Sequence, residues 1–463
     1  MKILESEHGS ESRKHTCSFW EGRLWAFIWA VAFGVVFPIG SAAQTGVSGG
    51  GGGYGTGVQS PLQFAGEGAP SSQLSLSLGA STFYDDNVLS TNGQRHGDEA
   101  VSLSSHLGVT ETTERLTFGF NYTPYFQFYR QFDQFDRLSH AGNLNLNYRL
   151  AERFSLGLYD TLSYQYGFLP YAGQQQEILS GPIPPTALNQ GIFTYTTRTL
   201  VNTAGLRLTF AKSRRTSFSI SGSYNLDKFG SESGESQGLY NGREVTGGLH
   251  FQYLVTSHTR VGVLALHQDA TYQGGGVFGY RERSQIETAY LSVESDLSPT
   301  VSVSVYGGPQ YLHIISGSFV GEGATGQLEG AGGGSITKEV RNTALNLAFQ
   351  RSVTDGGGLY TDVINTYATF GARRRLVGRW EASCSGGAEQ AETPILKISN
   401  ETTRALMVTA GVSRPIRGNA ALSLSYTTTH EMNKGNLPFF VGFDSNYVTL
   451  GFNYQLKTIP LGR

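Results

Sequence analysis

The sequence predicts an all-β fold, a closed antiparallel transmembrane barrel of about 18 strands, with 16 as the alternative count. Three observations carry that expectation. Apolar and polar residues alternate with a period of two from Gln73 almost to Lys457, which puts one set on each face of a pleated strand. The composition is rich in glycine (61), tyrosine (24) and phenylalanine (27) but only 15% charged, at a mean hydropathy of −0.22. Alternating lipid-facing and water-facing residues produce that balance, whereas membrane helices need long unbroken apolar runs. Short connections also take turns with longer Gly- and Asp-rich ones, the asymmetry between the two ends of an outer-membrane barrel.

At the N-terminus, Arg23 precedes an apolar run from Leu24 to Phe37. Pro38 and Gly40 break it, and Ser41-Ala42-Ala43 supplies the small residues of a cleavage site, so residues 1–43 read as a signal peptide. The run is short for a membrane span. The segment before it is long for a signal and carries Glu5, Glu7, Glu11 and Glu21. Residues 44–72 include Gly49 to Gly53 unbroken and little to bury, which predicts a flexible periplasmic linker. A phosphate-binding loop does not fit there, because no Lys-Ser/Thr pair follows the glycines. The barrel is expected over 73–457, with 458–463 as a C-terminal tail. Cys17 lies before the apolar run and Cys384 is alone in the remainder, so the mature chain has no internal disulfide. A formal net charge of −2 provides no basic field, which excludes nucleic acid as a partner.

The strands follow in order. Leu74, Leu76 and Leu78 alternate with Ser75 and Ser77, Val101 and Leu103 open the returning strand, and Leu116, Phe118, Phe120 and Tyr122 form the next. Asn143 to Tyr166 holds a complete hairpin: Leu144, Leu146 and Tyr148, a turn at Ala151, then Phe154, Leu156, Leu158, Leu162 and Tyr164. Leu206, Leu208 and Phe210 precede the turn at Ser213, after which Phe218, Ile220, Tyr224 and Leu226 resume. Leu249, Phe251 and Tyr253 lead to Ser257, and Leu291, Val293 and Leu297 to Ser298-Pro299. Val301, Val303 and Val305, then Leu345, Leu347 and Phe349, then Leu422, Leu424 and Tyr426, then Val448 to Leu456 complete the series. Gly326 to Lys338 is poor in apolar residues, but without it the count is odd and the two chain ends fall on opposite sides of the membrane. Short turns are expected near Glu111, Ala151, Ser213, Ser257, Ser298, Arg374 and Pro415. Asp160 falls on the apolar face, where a bulge or a rim position would lower its cost.

Closure is compulsory in lipid, since an open edge leaves backbone groups unsatisfied in hydrocarbon. A barrel of 16 to 18 strands encloses an aqueous channel. Its lining is the set opposite the apolar one. On the first hairpin that set is Asn143, Asn145, Asn147, Arg149, Tyr159 and Gln165; further on it is Arg207, Glu244, His250 and Gln252, and finally Asn346, Gln350, Asn453 and Gln455. Side-chain amides, a tyrosine and isolated charges of both signs suit an uncharged or weakly charged hydroxylated solute. The long connection from Gly167 to Thr196, with Pro182, Pro184 and Pro185, either folds inward as a constriction or stands outside as an adhesive tip.

No enzyme chemistry assembles. His96, His106, His140, His250, His258, His267, His313 and His430 are scattered without metal-ligand spacing, and no cofactor is implied. A lipase-like pair built on His250 or His267 lacks the Gly-x-Ser-x-Gly elbow. Asp85 and Asp86 are too few oxygens for calcium and read as a solvated turn, as do Arg373 to Arg375.

Three motifs carry a family resemblance: Phe83-Tyr84-Asp85-Asp86-Asn87-Val88-Leu89, Arg351-Ser352-Val353-Thr354-Asp355-Gly356-Gly357-Gly358 and Ala372-Arg373-Arg374-Arg375-Leu376. Together they resemble the β-barrel porins associated with exopolysaccharide gene clusters (β-barrel porin type 2). The resemblance implies an outer-membrane conduit for an extracellular polysaccharide or related saccharide. It also implies outer-membrane lipid, the barrel-assembly machinery and periplasmic polysaccharide-export components as partners. It supplies no catalytic residues. The competing classes are an adhesive or structural surface protein anchored by its barrel and, last, an outer-membrane hydrolase.

Overall fold

The computed structural model describes residues 71–89, 94–166, 198–230, 240–274, 281–316, 325–356, 360–392, 402–417, 419–434 and 442–461. The segment read as a signal peptide, residues 44–70 of the linker and the Gly167–Thr196 connection lie outside the described residues. Among those described, no helix is long and apolar enough to cross a membrane.

Eighteen long strands form one antiparallel sheet. The first six are β1 (Ser71–Asp85), β2 (Asp98–Thr112), β3 (Leu116–Tyr129), β4 (Arg137–Ala151), β5 (Phe154–Tyr166) and β6 (Arg198–Ala211). Then come β7 (Thr216–Gly230), β8 (Tyr240–Leu254), β9 (Thr259–Gly274), β10 (Arg281–Ser298), β11 (Val301–Ser316) and β12 (Thr325–Val340). The last six are β13 (Thr343–Gly356), β14 (Tyr360–Arg375), β15 (Glu381–Glu392), β16 (Thr402–Arg417), β17 (Ala420–Lys434) and β18 (Asp444–Gln455). Each pairs with its sequence neighbours, and β1 pairs with β18 from Ser77↔Gln455 to Asp85↔Tyr447, so the sheet closes. The glycine-rich stretch included to keep the count even is β12. A two-residue β19 (Ile459–Pro460) pairs with Leu74 and Gln73 of β1, and the Leu461 N–H donates to the Ser72 carbonyl at 3.0 Å. The expected tail therefore extends the closure.

Every β2n-to-β2n+1 connection is short and lies at one end, from 113–115 to 418–419. The turn expected near Glu111 falls two residues later, because Glu111 still pairs with Ser72. Arg373 to Arg375 likewise end β14, paired with β15, and the turn itself is Leu376 to Trp380. Gly378 there has φ 71°, a left-handed conformation that suits glycine.

The outer face is the apolar set. Leu206, Ile220, Leu249 and Leu291 are 49%, 58%, 59% and 68% exposed, a continuous apolar surface that lipid accepts and water does not. The stacked pair Phe154–Phe210 and the tilted pair Phe218–Phe251, with centroids 4.8 and 5.1 Å apart, sit near the short-turn end where an aromatic girdle belongs. A closed barrel with this exterior satisfies its backbone within hydrocarbon, and the chain is an outer-membrane protein. Asp160 does lie on this face, without a local bulge: it pairs in register with Leu144 and Ala204. Asn202, two places along on β6, donates to it at 2.7 Å.

One seam departs from a regular cylinder. β12 and β13 pair only from Val340↔Thr343 up to Gly332↔Arg351. Above that point β12 continues to Thr325 paired with β11, and β13 continues to Gly356 paired with β14. The upper β13–β14 hairpin has turned into the barrel.

Candidate functional site

The lumen is built by the strand faces opposite the exposed apolar set. On β4, Asn145 donates to Asn143 at 2.5 Å, so alternate asparagines bond along the strand. Asn147 and Arg149 continue that row. The hydroxyl end of the Tyr159 ring on β5 reaches over Gly205 of β6, where a Cβ would meet it at 2.4 Å; glycine is needed for that approach. Arg207 follows on the same face beside Tyr159, and both Arg207 and Arg260 stand within electrostatic reach of His250. Glu244 accepts from Thr246 at 2.7 Å and from Gln268 at 3.1 Å. His250 and Gln252 are buried. Gln350 accepts from the Tyr367 hydroxyl at 2.8 Å and donates to Ser352 at 3.1 Å. Asn346 shares the Gln350 face, while Asn453 and Gln455 stand exposed near the short-turn end. The Gln165 side chain lies outside the described residues. His250 and His267 fall on opposite faces of the wall: His250 is buried within, and His267 pairs outside with Glu287 at 2.6 Å. No group of three or more His, Cys, Asp or Glu could hold a metal among the described residues.

The lumen is not polar all round, and here the two-face reading needs correction. Ile286, Leu312, Ile314, Val353 and Ile364 form one buried cluster inside the barrel, and Leu264, Leu266, Tyr290 and Ala331 another. Each fully buried aliphatic side chain contributes roughly 1.5–3 kcal/mol. The first cluster is where the inward hairpin meets the β10–β11 wall. Strand parity assigns Val353 and Ile364, opposite one another in register, to the lipid side. In the fold that side faces the lumen surface of β10 and β11 instead.

Polar contacts fasten the hairpin to the facing wall. The Val353 N–H donates to Gln310 Oε1 of β11 at 2.8 Å, and the Tyr272 hydroxyl of β9 donates to Asp362 at 3.0 Å. At the base of the hairpin, within the β14–β15 ladder, Asn365 donates to Glu389 at 2.7 Å. Four consecutive residues, Asp362 to Asn365, are buried, which alternation alone never produces in a single-layer wall. The hairpin is thus a second layer within the upper lumen, and it narrows the passage.

The sequence reading missed Gln310, Tyr272, Asp362, Asn365 and Glu389 as a group. A signal was present: Val261 to Leu266 is apolar on both faces, apart from Gly262, and Val363-Ile364 interrupts alternation on β14. Loss of period two marks a strand covered on both sides. Asp85 and Asp86 also do more than a solvated turn. Asp85 accepts from the Asn87 N–H and from Ser445 Oγ, each at 2.8 Å. Asp86 accepts from Asn446 Nδ2 at 2.7 Å and pairs with Arg95 at 3.2 Å. They fasten β1 to β18 at the rim.

No family model and no curated protein matches the chain. Solved structures with some likeness include OccAB4 of Acinetobacter baumannii, at 12% identity and TM-score 0.42, covering 84% of this chain and 98% of that one. Pseudomonas aeruginosa OpdQ matches at 11% identity and TM-score 0.40 over 84% and 98% of the two chains. P. aeruginosa OccK2 (OpdF), solved in complex with glucuronate, matches at 12% and 0.41 over 83% and 98%. At these values none of the likenesses bears on what this chain does. The resemblance to exopolysaccharide-associated porins rests on its three short motifs.

Proposed function

We propose that the barrel is a passive conduit for a saccharide. The observation that carries this reading is a closed wall of 18 long strands, wide enough for an aqueous channel, with amide rows and Tyr159 on its inner face. Amides offer a donor and an acceptor together, and an aromatic ring covers the apolar face of a sugar. Contacts of that kind are weak and repeated, as conduction requires. The sequence motifs favour an extracellular polysaccharide or a fragment of one as the solute, with periplasmic export components as partners. The chain carries no chemistry in this reading and acts by positioning alone.

The hairpin across the upper lumen favours a second reading, a barrel that anchors its surface connections and conducts nothing. Planar-bilayer recording decides between them. The conduit predicts ion conductance that neutral oligosaccharides block transiently and reversibly. Silence under all voltages, with the hairpin loosened as well as native, would rule the conduit out.

A further inference from the structure

The parted seam pairs a free edge with a strand that fits it. β12 from Gln327 to Ala331 is bonded to β11 on one side, and among the described residues no strand pairs with its other side. Such an edge offers a row of backbone donors and acceptors and accepts a strand readily. At roughly 10 residues above the short turn it stands near the top of the apolar band, so its exposure is tolerable in a membrane. The adjoining upper part of β13 stands inside the lumen, where its Val353 N–H is bonded to Gln310.

We propose that the upper β13–β14 hairpin is a gate, shut in this structure, that opens by zipping Ser352–Gly356 on to Gln327–Ala331. The register below the seam dictates the open pairing. Continuing from Gly332↔Arg351 sets Ala331 opposite Ser352, Gly330 opposite Val353 and Glu329 opposite Thr354. Val353 and Ile364 return to the outer side that their parity assigns, Asp362 moves outward with Ile364 at the rim, and Ser352 keeps the inner face that it shares with Gln350.

Among the described residues, the contacts specific to the shut state are Gln310 to the Val353 N–H, Tyr272 to Asp362, Arg351 to Glu329, and the apolar cluster around Ile286 and Leu312. Zipping exchanges backbone bonds along the free edge for these contacts. The hinge is at Arg351, whose guanidinium donates to Thr366 at 2.9 Å and pairs with Glu329 across the seam. β14 stays bonded to β15 only as far as Ile364↔Glu392, so Tyr360 to Val363 carry no ladder bonds to β15 that opening must break.

The consequence for transport rests on the conduit reading; the motion does not. In a background with Cys17→Ser and Cys384→Ser, the pair Gly330→Cys/Val353→Cys is oxidised in detergent and in bilayers. The control pair is Ile336→Cys/Leu347→Cys, residues opposite one another in the shut structure. Heat-modifiable gel mobility verifies that each variant is folded. The control disulfide is expected to form at once and the gate disulfide more slowly. The oxidised gate variant should conduct several-fold more than the reduced one, and reductant should reverse it. A control that cross-links while the gate pair stays reduced overturns the motion. A gate pair that cross-links in a conducting channel without changing its conductance overturns the gating. Cross-linking in a barrel that never conducts leaves the motion standing and defeats the conduit. Should the double variant fail to fold, Asp362→Ala provides an independent test: it removes the Tyr272 fastening and should raise the open fraction, and an unchanged or lower fraction counts against the gate.

Discussion

Arg351 Nη2 lies 3.7 Å from Glu329 Oε2, although alternation puts Arg351 on the outer face of β13 and Glu329 on the inner face of β12. An outward residue reaches an inward one only if its strand stands inside the neighbouring strand. The ion pair thus marks the height at which β13 leaves the wall. Arg351 is also where the ladder to β12 ends, opposite Gly332.

The two faces of the wall should respond differently to charge. Leu158 faces lipid near mid-height, and Asn145 is one place along in register on the inner face. Leu158→Arg should lower folding stability in liposomes by roughly 2–4 kcal/mol, and Asn145→Arg by much less. Urea titration of the folded fraction measures both, and equal losses would mean the faces are inverted.

Asp160 and Asn202 form a polar pair with Leu158 and Leu162 exposed on either side of the carboxylate. Breaking the pair leaves that carboxylate alone in lipid, so Asn202→Leu should destabilise the barrel by about 1–3 kcal/mol. Replacing both with leucine should restore or exceed native stability, because no polar group remains to satisfy. A double variant less stable than the single one would contradict this, and a double-variant cycle by denaturant titration supplies the comparison.

At the rim, burial decides which residue matters. Arg95 pairs with Asp86 and Asp444 but has a side chain 44% exposed, so Arg95→Ala should cost only about 0–1 kcal/mol. Asp85 is 3% exposed and serves both the Asn87 N–H and Ser445. Asp85→Ala strands those donors and should cost about 1–3 kcal/mol. The temperature at which the folded gel band is lost should fall more for Asp85→Ala than for Arg95→Ala.

Gly205→Ala tests the lining through the position of the Tyr159 side chain. The new Cβ would collide with the Tyr159 ring, which must swing off the wall into the passage. Oligosaccharide block in bilayers should change severalfold in strength while the barrel keeps its thermal stability within about 1 kcal/mol. Unaltered block would place Tyr159 outside the path of the solute.

Fractionation gives the broadest check. The chain should be recovered with outer membranes, and its gel mobility should change on boiling, since a closed barrel resists detergent until heated. Recovery from the soluble periplasm with no mobility change would remove the barrel and everything argued from it.

The alternation of Leu144, Leu146 and Tyr148 with Asn143, Asn145 and Asn147 was enough to determine strand, face and membrane, because lipid on one side and water on the other impose a period of two locally. Turn positions followed from breaks in that period, and parity of the strand count required β12 despite its glycines. The sequence by itself thus determined a wall and which side of it was wet. It did not determine that Val353 and Ile364 would meet Leu312 and Ile286, since alternation records which face a residue takes and says nothing of what covers that face. Whether β13 stays on β12 above Gly332 depends on contacts between strands that are not neighbours in the wall: Gln310 with Val353 and Tyr272 with Asp362. Those pairings compete with a backbone ladder, and only the assembled barrel brings the competitors together.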